Sequence, residues 1–347
     1  MDGIDISMVK TNGLDLKRLN QNYYYEYSTE TKTKLINILK NNLIFNLENK
    51  EYLDDFITFE HYQALKDLEI VKSCDLIGFH GQTIFHDPIN KTSIQLGDPK
   101  KLSRMLNKNV VFDFRSNDLR LGGQGAPIAP IYHKFIIEKI NLKLPACIIN
   151  IGGIANLTYW DGKELIGFDT GPGNVLMDNY SMTMFNQNFD KNGDFASKGT
   201  PIKEEVTNFL QQVYFEKPPP KSLDKLSFMK TYKTLILKKY SNYDIMATLL
   251  EYTTESIATS LNLLPKKISN LIITGGGYRN HYLMKKLRER LDINVIDEKK
   301  SKLNFDYIEA ELIGYLSARS IYKLPFTFPS TTGVSKPSSG GGLYSCL

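Results

Sequence analysis

Cysteine is scarce in this chain of 347 residues, which contains only Cys74, Cys147 and Cys346. Three scattered cysteines form no disulfide framework and show no zinc-ligand spacing, which favours a reducing, cytoplasmic compartment. No apolar run approaches the roughly 18 residues that a membrane-spanning helix requires. The acidic start, Met1-Asp2-Gly3-Ile4-Asp5, lacks the apolar segment of a secretory signal. The composition therefore predicts a cytoplasmic protein that does not enter a membrane.

The sequence signatures of several common enzyme classes are also missing. There is no G-x-x-x-x-G-K-[ST] phosphate loop, no G-x-G-x-x-G after a predicted strand, no H-E-x-x-H and no G-x-S-x-G. His80, His86 and His133 are far apart and lack the spacing of metal ligands. The net charge of +5 comes from 43 basic and 38 acidic residues, which form no dense basic stripe. These observations argue against a metalloprotease, an α/β-hydrolase, a classical dinucleotide fold and a nucleic-acid-binding protein.

Short apolar runs that end in glycine or polar turns are the strongest structural signal present. Such runs are typical of buried strands, and the segments between several of them have helical periodicity. Alternating strands and helices predict an α/β protein with parallel or mixed sheets, whose ligands bind at the carboxyl ends of strands. The predicted strands are 75–81, 110–115, 147–153, 165–173 and 271–277, and the predicted helices are 30–45, 205–215, 245–262, 280–291 and 306–322.

Three glycine clusters follow predicted strands and are candidates for a phosphate site. They are Gly152-Gly153-Ile154-Ala155-Asn156, Asp169-Thr170-Gly171-Pro172-Gly173-Asn174 and Gly275-Gly276-Gly277. Glycine turns let backbone N–H groups approach an anion, and a helix that starts after residue 174 could face a phosphate. A single glycine turn is more often structural. Three of them in one chain leave a nucleotide site and a structural explanation equally open.

The charged residues near strand ends also allow two interpretations. Asp169 either caps a turn or acts as a general base close to a transferred phosphoryl group. Asp113, Arg115 and Asp118 form either a structural ion pair or hydrogen bonds to a sugar-like ligand. His80 lies in the segment FHGQT and resembles a polar group on the substrate side.

Taken together, these motifs resemble the 1,6-anhydro-N-acetylmuramic acid kinases, a branch of the sugar kinase/Hsp70/actin superfamily. LGGQGAP and FDTGPGN are the specific elements, because chance or a shared fold alone would very rarely produce both. The similar stretches follow the family's order along nearly the whole chain. They are FHGQTIFHDP (79–88), QLGDP (95–99), DFRSNDLRLGGQGAPIAP (113–130), NIGGIANLTYW (150–160), GFDTGPGNVLMDNY (167–180), YFEKPPPKS (214–222), ITGGGYRN (273–280) and PSTTG (329–333).

The resemblance implies a fold and an activity. The fold would be a two-lobed, RNase H-like α/β fold with mixed sheets flanked by helices and a cleft between the lobes. Residues 1–130 with 325–347 would form the first lobe, and residues 131–324 the second. The activity would be a double reaction that depends on ATP and Mg²⁺ and serves cell-wall recycling in the cytoplasm. The resemblance also implies that the protein could be a homodimer. Water opens the anhydro bond at C1, and O6 takes the γ-phosphoryl group to give N-acetylmuramic acid 6-phosphate.

The resemblance also assigns roles to individual residues. Asp169 matches the family's catalytic aspartate, which activates water. Asp2 would hold the metal as well as the nucleotide. The other nucleotide-binding residues would be Gly3, Gly152, Gly153, Asn156, Gly275, Gly276, Gly277 and Asn280. The substrate-binding residues would be His80, Gln82, Arg115, Asp118, Gln124 and Glu309.

The start of the chain departs from the family pattern. Members usually open with a strand followed by G-T-S-x-D-G-[IV]-D, which holds an ATP phosphate, whereas this chain opens at Met1-Asp2-Gly3. This departure has two explanations: the start codon lies further upstream, or the protein has lost its catalytic activity. The alternative function is therefore a catalytically inactive sugar- or nucleotide-binding protein. An Hsp70- or actin-like ATPase is disfavoured, because it does not explain the FHGQT, DFRSND and LGGQGAP stretches.

Overall fold

The computed structural model describes residues 3–41, 47–223 and 227–346. By their contacts, the residues group into two compact units. Unit 1 comprises Met1–Tyr132, Tyr307–Pro329 and Val334–Leu347, and unit 2 comprises His133–Asp306 and Ser330–Gly333. Among the described residues, no helix is both long enough and apolar enough to cross a bilayer.

Strands and helices are numbered in chain order within the described residues. The strands are β1 (Gly3–Thr11), β2 (Leu16–Glu26), β3 (Leu76–Gly78), β4 (Gln82–Asp87), β5 (Thr92–Leu96), β6 (Asn109–Phe112), β7 (Ala146–Ile151), β8 (Ile154–Trp160), β9 (Leu165–Pro172), β10 (Asn270–Thr274), β11 (Asn294–Ile296) and β12 (Gly342–Tyr344). The helices are α1 (Thr29–Asn41), α2 (Leu47–Leu65), α3 (Glu69–Ser73), α4 (Pro99–Leu106), α5 (Ser116–Arg120), α6 (Pro130–Lys139), α7 (Val175–Phe185), α8 (Lys203–Leu210), α9 (Val213–Glu216), α10 (Met229–Ile236), α11 (Asn242–Leu261), α12 (His281–Arg290), α13 (Glu298–Ser301), α14 (Ile308–Ile321) and α15 (Pro329–Thr332).

A five-stranded sheet with the order β11–β10–β7–β8–β9 forms the centre of unit 2. Strand β10 runs parallel to β7 and β11, whereas β8 is antiparallel to β7 and β9. Every residue of β7 is buried, as expected for an apolar strand that is covered on both faces. Cys147, Ile149 and Ile151 belong to the large apolar core, so the alternate residues of β7 point to the other face. This sheet with its helices confirms the predicted mixed α/β class.

Helix α11 supports the end of the sheet that carries the glycine segments. It begins after Ser241, whose side chain accepts a hydrogen bond from the backbone N–H of Asp244. The Thr253 hydroxyl donates to the carbonyl of Gly173 at 2.8 Å. A Cβ at Gly171 would lie only 2.5 Å from the Ser256 hydroxyl oxygen, so glycine is required for this close approach. The helix therefore fixes the chain that leaves β9.

Unit 1 contains a three-stranded sheet with the order β12–β6–β3 and two hairpins, β1–β2 and β4–β5. Helix α14 packs against β1 and β3. At Gly78, a Cβ would lie 2.4 Å from the Ser317 hydroxyl oxygen, which shows how closely β3 approaches this helix. Glu311 of the same helix is buried and accepts hydrogen bonds from Arg18 at 2.8 Å and from the Tyr132 hydroxyl at 2.5 Å.

Apart from a two-residue shift at 131–132, the grouping into units departs from the predicted lobe bounds at helix α14 and at Ser330–Gly333, which was predicted in the first lobe and groups with unit 2. Residues 307–324 contain α14 and group with unit 1, because this helix packs on β1 and β3. The sequence pattern of α14 shows an apolar stripe but not the strands that the stripe covers.

The predicted regular elements are found with local differences. Two predictions need correction or completion. The helix predicted at 205–215 is wrong as a single element, because α8 ends at Leu210 and α9 begins at Val213. The helix predicted at 30–45 is confirmed as far as Asn41, and its continuation lies outside the described residues. The predicted helices at 245–262, 280–291 and 306–322 are confirmed as α11, α12 and α14.

Buried histidines make the stability of the fold depend on pH. Burial lowers the pKa of His133 to about 3, and the ring is 2% exposed with its Nδ1 2.8 Å from the Thr158 hydroxyl oxygen. The unfolded chain takes up a proton below about pH 6.5 that the folded protein does not bind. Stability is therefore complete above pH 6.5 and falls as the pH drops toward 3. We expect the free energy of unfolding to fall by about 2 kcal/mol per such histidine between pH 6.5 and 5.

Urea unfolding at pH 7.5 and pH 5 measures this dependence. The His133→Gln variant keeps a hydrogen-bonding side chain and removes the titration, so its stability should change less with pH than that of the wild type. An equal change in the two proteins would contradict the assignment.

Candidate active site

Four polar residues form a row across the sheet of unit 2. Thr274 of β10 pairs with Asn150 of β7, Asn150 pairs with Asn156 of β8, and Asn156 pairs with Asp169 of β9. Residues that are directly paired across strands point to the same face of a sheet. The row therefore brings Asp169 together with Asn156, two residues that the sequence predicted for the site from separate motifs.

A β-bulge lies in the row beside Asp169. Ala155 pairs with Gly171 and Asn156 pairs with Asp169, so Thr170 is the additional residue in β9. A bulge redirects the side chains of the strand around it, and bulges are frequent next to active sites. Asn156 Oδ1 is buried and finds no hydrogen-bond partner within the part of the chain that the structure describes. Because a buried polar atom without a partner is costly, this oxygen suits a site that is completed by a ligand or water.

The carboxylate of Asp169 is 6% exposed and is held by the loop that follows α9. The backbone N–H of Leu223 donates to Asp169 Oδ2 at 2.8 Å. The backbone N–H of Asp169 donates to the carbonyl of Lys221 at 3.0 Å, and the Tyr214 hydroxyl donates to the carbonyl of Asp169 at 2.5 Å. Segment 214–223 therefore makes three contacts to Asp169, one of them to its carboxylate and two to its backbone.

The three predicted glycine segments meet in space at the carboxyl end of β7. The backbone N–H of Asn174 donates to the Gly152 carbonyl at 2.7 Å, and that of Gly173 donates to the Gly153 carbonyl at 2.9 Å. The Asn174 side chain donates to the Ile151 carbonyl at 3.1 Å. A Cβ at Gly275 would lie 2.8 Å from the same carbonyl oxygen. One end of the sheet thus gathers segments that are more than 120 residues apart in the sequence.

The glycines of these segments differ in what surrounds them. Gly275 has φ +77°, and a Cβ there would lie 2.2 Å from Asn150 Oδ1. A Cβ at Gly277 would lie 2.4 Å from the Ile151 side chain, so both positions need glycine for packing. At Gly152 and at the exposed Gly276, a Cβ would come no closer than 3.5 Å to another atom. The backbone at these two positions is open to a ligand.

The first turn of α7 is fastened to the turn between β7 and β8. The N–H groups of Asn174 and Val175 donate to the carbonyls of Gly152 and Gly153. These two donors are therefore used within the fold, so the start of α7 offers an anion fewer backbone N–H groups than the glycine pattern suggested.

A second polar cluster lies within unit 1. The Arg115 Nε donates to His80 Nε2 at 3.3 Å, and its Nη1 donates to the Gly125 carbonyl at 2.9 Å. Asp118 is 2% exposed, and its Oδ2 accepts from the Gly125 N–H at 2.7 Å. A Cβ at Gly123 would lie 2.2 Å from the same oxygen. The LGGQGAP segment therefore wraps around Asp118 and brings Arg115 against His80.

His80 is a neutral hydrogen-bond acceptor in this cluster. Burial and the nearby Arg115 charge lower its pKa to about 3. Its Nδ1 lies 3.1 Å from the Gly81 carbonyl oxygen, so Nδ1 carries the hydrogen and Nε2 accepts from Arg115. His80 therefore orients the Arg115 guanidinium by accepting a hydrogen bond from it.

The remaining predicted residues have simpler surroundings. Gln82 begins β4, Glu309 is exposed in the first turn of α14, and Asn280 caps α12 by accepting from the Leu283 N–H at 3.0 Å. Gly3 begins β1. Gln124 lies, partly buried, in the segment between α5 and α6. Asp2 lies outside the described residues, so its predicted metal and nucleotide roles remain predictions.

Lys221 and Tyr214 are the residues that sequence reasoning missed. Both lie in YFEKPPPKS, which contributed to the family resemblance but carried no assigned role. A run of prolines is typical of a loop, and 217–223 has no regular structure. Nothing in the pattern separated the buried Lys221 from the many surface lysines.

The donor set suits a magnesium ion that arrives with phosphate. The described residues contain no group of three or more His, Cys, Asp or Glu side chains that could enclose a metal ion. Mg²⁺ in nucleotide sites is usually held by one or two carboxylates, with phosphate oxygens and water as its other ligands. A site at the converging glycine segments would take most ligands of the ion from phosphate and water, and the predicted metal residue, Asp2, lies outside the described residues.

The sequence has clear relatives. The chain is 36% identical to the anhydro-N-acetylmuramic acid kinase of Rhodopseudomonas palustris, over 98% of this chain and 95% of that protein. It is 37% identical to the protein of the same name from Pelagibacter ubique, over 99% and 95%. Among solved structures, the activator of the 2-hydroxyisocaproyl-CoA dehydratase from Clostridium difficile with bound ADPNP has 11% identity, 90% coverage of both chains and a TM-score of 0.37. The family model described as anhydro-N-acetylmuramic acid kinase matches residues 1–346. The chain therefore belongs to the anhydro-N-acetylmuramic acid kinase family.

Proposed function

We propose that this protein is an ATP-dependent kinase that opens 1,6-anhydro-N-acetylmuramic acid with water and phosphorylates O6 of the sugar. The observation that carries the proposal is the position of Asp169, which pairs with Asn156 across the unit 2 sheet and begins one of the three glycine segments that converge at the end of that sheet. Family membership supports the kinase activity. Since both ATP and a recycled cell-wall sugar are consumed, the reaction suits the cytoplasm.

Asp169 would serve as the general base. Water adds its oxygen to C1 and gives a proton to the carboxylate, while the bond between C1 and O6 breaks. The released O6 attacks the γ-phosphorus, the bond from that phosphorus to the β–γ bridging oxygen breaks, and ADP leaves. The proton on Asp169 then passes to solvent. A positioned base contributes about 10²–10⁴-fold to such a step.

The nucleotide would bind where the backbone is open. Gly152, Gly153 and Gly276 would approach the phosphates, while Gly275, Gly277 and Asn280 would shape the segments that carry them. Mg²⁺, when bound, would neutralise phosphate charge. Asn156, whose buried Oδ1 has no partner within the described residues, would complete the polar side of this site.

The unit 1 cluster would bind the sugar. Arg115, His80 and Asp118 offer charge and directed hydrogen bonds, which fit a substrate with hydroxyl, acetamido and carboxylate groups. His80, Gln82, Gln124 and Glu309 remain candidates for additional contacts.

The Arg115→Lys variant tests the sugar assignment. Lysine cannot reproduce the geometry by which two guanidinium nitrogens reach His80 Nε2 and the Gly125 carbonyl. We expect KM for the anhydro sugar to rise about tenfold, the loss of about 1.4 kcal/mol, with KM for ATP changed less than twofold. The matched control is Arg120→Lys, an exposed arginine of the same segment that donates to Asn117. Equal KM values for the sugar in both variants would remove Arg115 from the site.

An ADP-release assay tests the function itself. Purified protein with Mg²⁺ and ATP should release ADP when the anhydro sugar is added and should release little without it. Sugar and ATP binding by calorimetry without ADP release would instead favour the inactive binding protein. ADP release that ignores the sugar would favour a simple ATPase.

A further inference from the structure

The segment 214–223 contains a buried lysine for which the family reaction gives no role. Lys221 is 1% exposed, and its Nζ donates to the Tyr214 carbonyl at 2.9 Å. The Nζ also lies 4.5 Å from the centre of the Tyr214 ring and 5.5 Å from that of Phe168. Within the described part of the chain, Lys221 has no carboxylate in salt-bridge distance. A cation so placed is expensive to bury.

The cost of this burial is visible in the acid–base behaviour of the lysine. Desolvation, together with the positive charge of Lys217, lowers the pKa of Lys221 to about 8. Burial and the nearby Asp169 also raise the pKa of the hydroxyl of Tyr214, the residue that Lys221 contacts. A fold selected for stability alone would place an apolar side chain here. The lysine therefore calls for a functional explanation.

The contacts of Lys221 connect it to the carboxylate of Asp169 through a closed set of hydrogen bonds. Its Nζ holds the backbone of Tyr214, whose hydroxyl donates to the Asp169 carbonyl. Its own carbonyl accepts from the Asp169 N–H, and Leu223, two residues later, donates to Asp169 Oδ2. The Lys221 amine thus connects Tyr214, at one end of segment 214–223, with the other end of the segment, where Lys221 and Leu223 contact Asp169.

We propose that Lys221 is a positioning residue, which with Tyr214 clamps segment 214–223 so that the Leu223 N–H holds one oxygen of the Asp169 carboxylate in place. This inference rests on the proposed function, since it assumes that Asp169 is the base. Lys221 acts through Asp169 and does not itself touch substrate. Misplacing a catalytic group by about 1 Å can cost about 10²-fold in rate.

The variants Lys221→Met and Tyr214→Phe test the clamp. Methionine keeps a side chain of similar length without the amine, and phenylalanine removes only the hydroxyl. We expect kcat to fall about 10- to 100-fold in Lys221→Met and about tenfold in Tyr214→Phe, with KM for sugar and ATP within twofold of the wild type. The double variant should lose little more than Lys221→Met, because both side chains act through one clamp. Lys217→Met, an exposed lysine of the same loop, is the control with unchanged kcat.

Amide hydrogen exchange gives a readout that does not require activity. The Leu223 amide should be protected in the wild type and in Lys217→Met, and should lose protection in both clamp variants. A kcat within twofold of the wild type, or a loss confined to KM, would overturn the clamp. If Lys221→Met does not fold, Tyr214→Phe decides on the same criteria. If the wild type releases no ADP, the proposed function fails, and Leu223 protection alone then decides the clamp.

Discussion

Asp169→Asn is expected to abolish sugar-dependent ADP release, with a loss of about 10²–10⁴-fold or more in kcat. The amide has no basic oxygen to take the proton from water, so addition at C1 loses its driving group. The Asn oxygen can still accept the Leu223 N–H that now reaches Asp169 Oδ2 at 2.8 Å, so the strand and loop should keep their places. Sugar and ATP binding, measured by calorimetry, should remain within a few-fold of the wild type.

Asp161→Asn is the matched control for this variant. Asp161 lies in the turn between β8 and β9, and its carboxylate also accepts backbone N–H groups, those of Lys163 and Glu164 at 2.9 and 2.8 Å. Hydrogen bonds lower the pKa of Asp161, and the bond from Lys266 makes the largest contribution. This variant should have a lower melting temperature and wild-type kcat. Substantial turnover by Asp169→Asn would refute the role of Asp169 as the base.

Gly276→Ala is expected to weaken ATP binding about tenfold, about 1.4 kcal/mol, without lowering the melting temperature. Gly276 is exposed, and the nearest atom to an added Cβ would be the Asn174 amide nitrogen at 3.6 Å, an ordinary contact. The methyl group therefore fits the folded protein and occupies only the space that we assign to the nucleotide. Calorimetric titration with ADP and with ATP measures the change.

Gly275→Ala provides the contrast one residue earlier. Its φ of +77° costs an L-residue about 1–2 kcal/mol, and the Cβ would meet Asn150 Oδ1 at 2.2 Å. This variant should lose several degrees of melting temperature, whereas Gly276→Ala should not. Unchanged nucleotide affinity in a folded Gly276→Ala protein would place the phosphates elsewhere.

The sequence allowed Asp169 and the three glycine segments to be predicted because each is a local pattern. An apolar run that ends in Asp169-Thr170-Gly171 predicts a polar group at the end of a strand, and this prediction does not depend on the rest of the fold. Their convergence was not predictable, because it depends on β10 pairing with β7 over more than 120 residues. The pairing of Asn150 with Asn156 and Asp169 depends likewise on strand register.

Features that depend on a single local irregularity could not be predicted. The additional residue Thr170 shifts Asp169 into line with Asn156, and no composition signal marks such a bulge. The burial of Lys221 follows from the packing of its loop on β9, which a proline-rich segment does not reveal. The hairpin strand β8 was also missed, since its polar Asn156 and Thr158 interrupt the apolar run.

Product analysis in ¹⁸O-labelled water distinguishes the coupled ring opening and phosphorylation from either step alone. The purified protein, the anhydro sugar, Mg²⁺ and ATP are combined, and the products are identified promptly by mass spectrometry with fragmentation. We expect one ADP for each sugar phosphate formed, a sugar that has gained both the elements of water and one phosphoryl group, and ¹⁸O at C1 with none in the phosphate. A phosphorylated sugar whose anhydro ring is intact, or ¹⁸O in released inorganic phosphate with the sugar unchanged, would refute the proposed reaction.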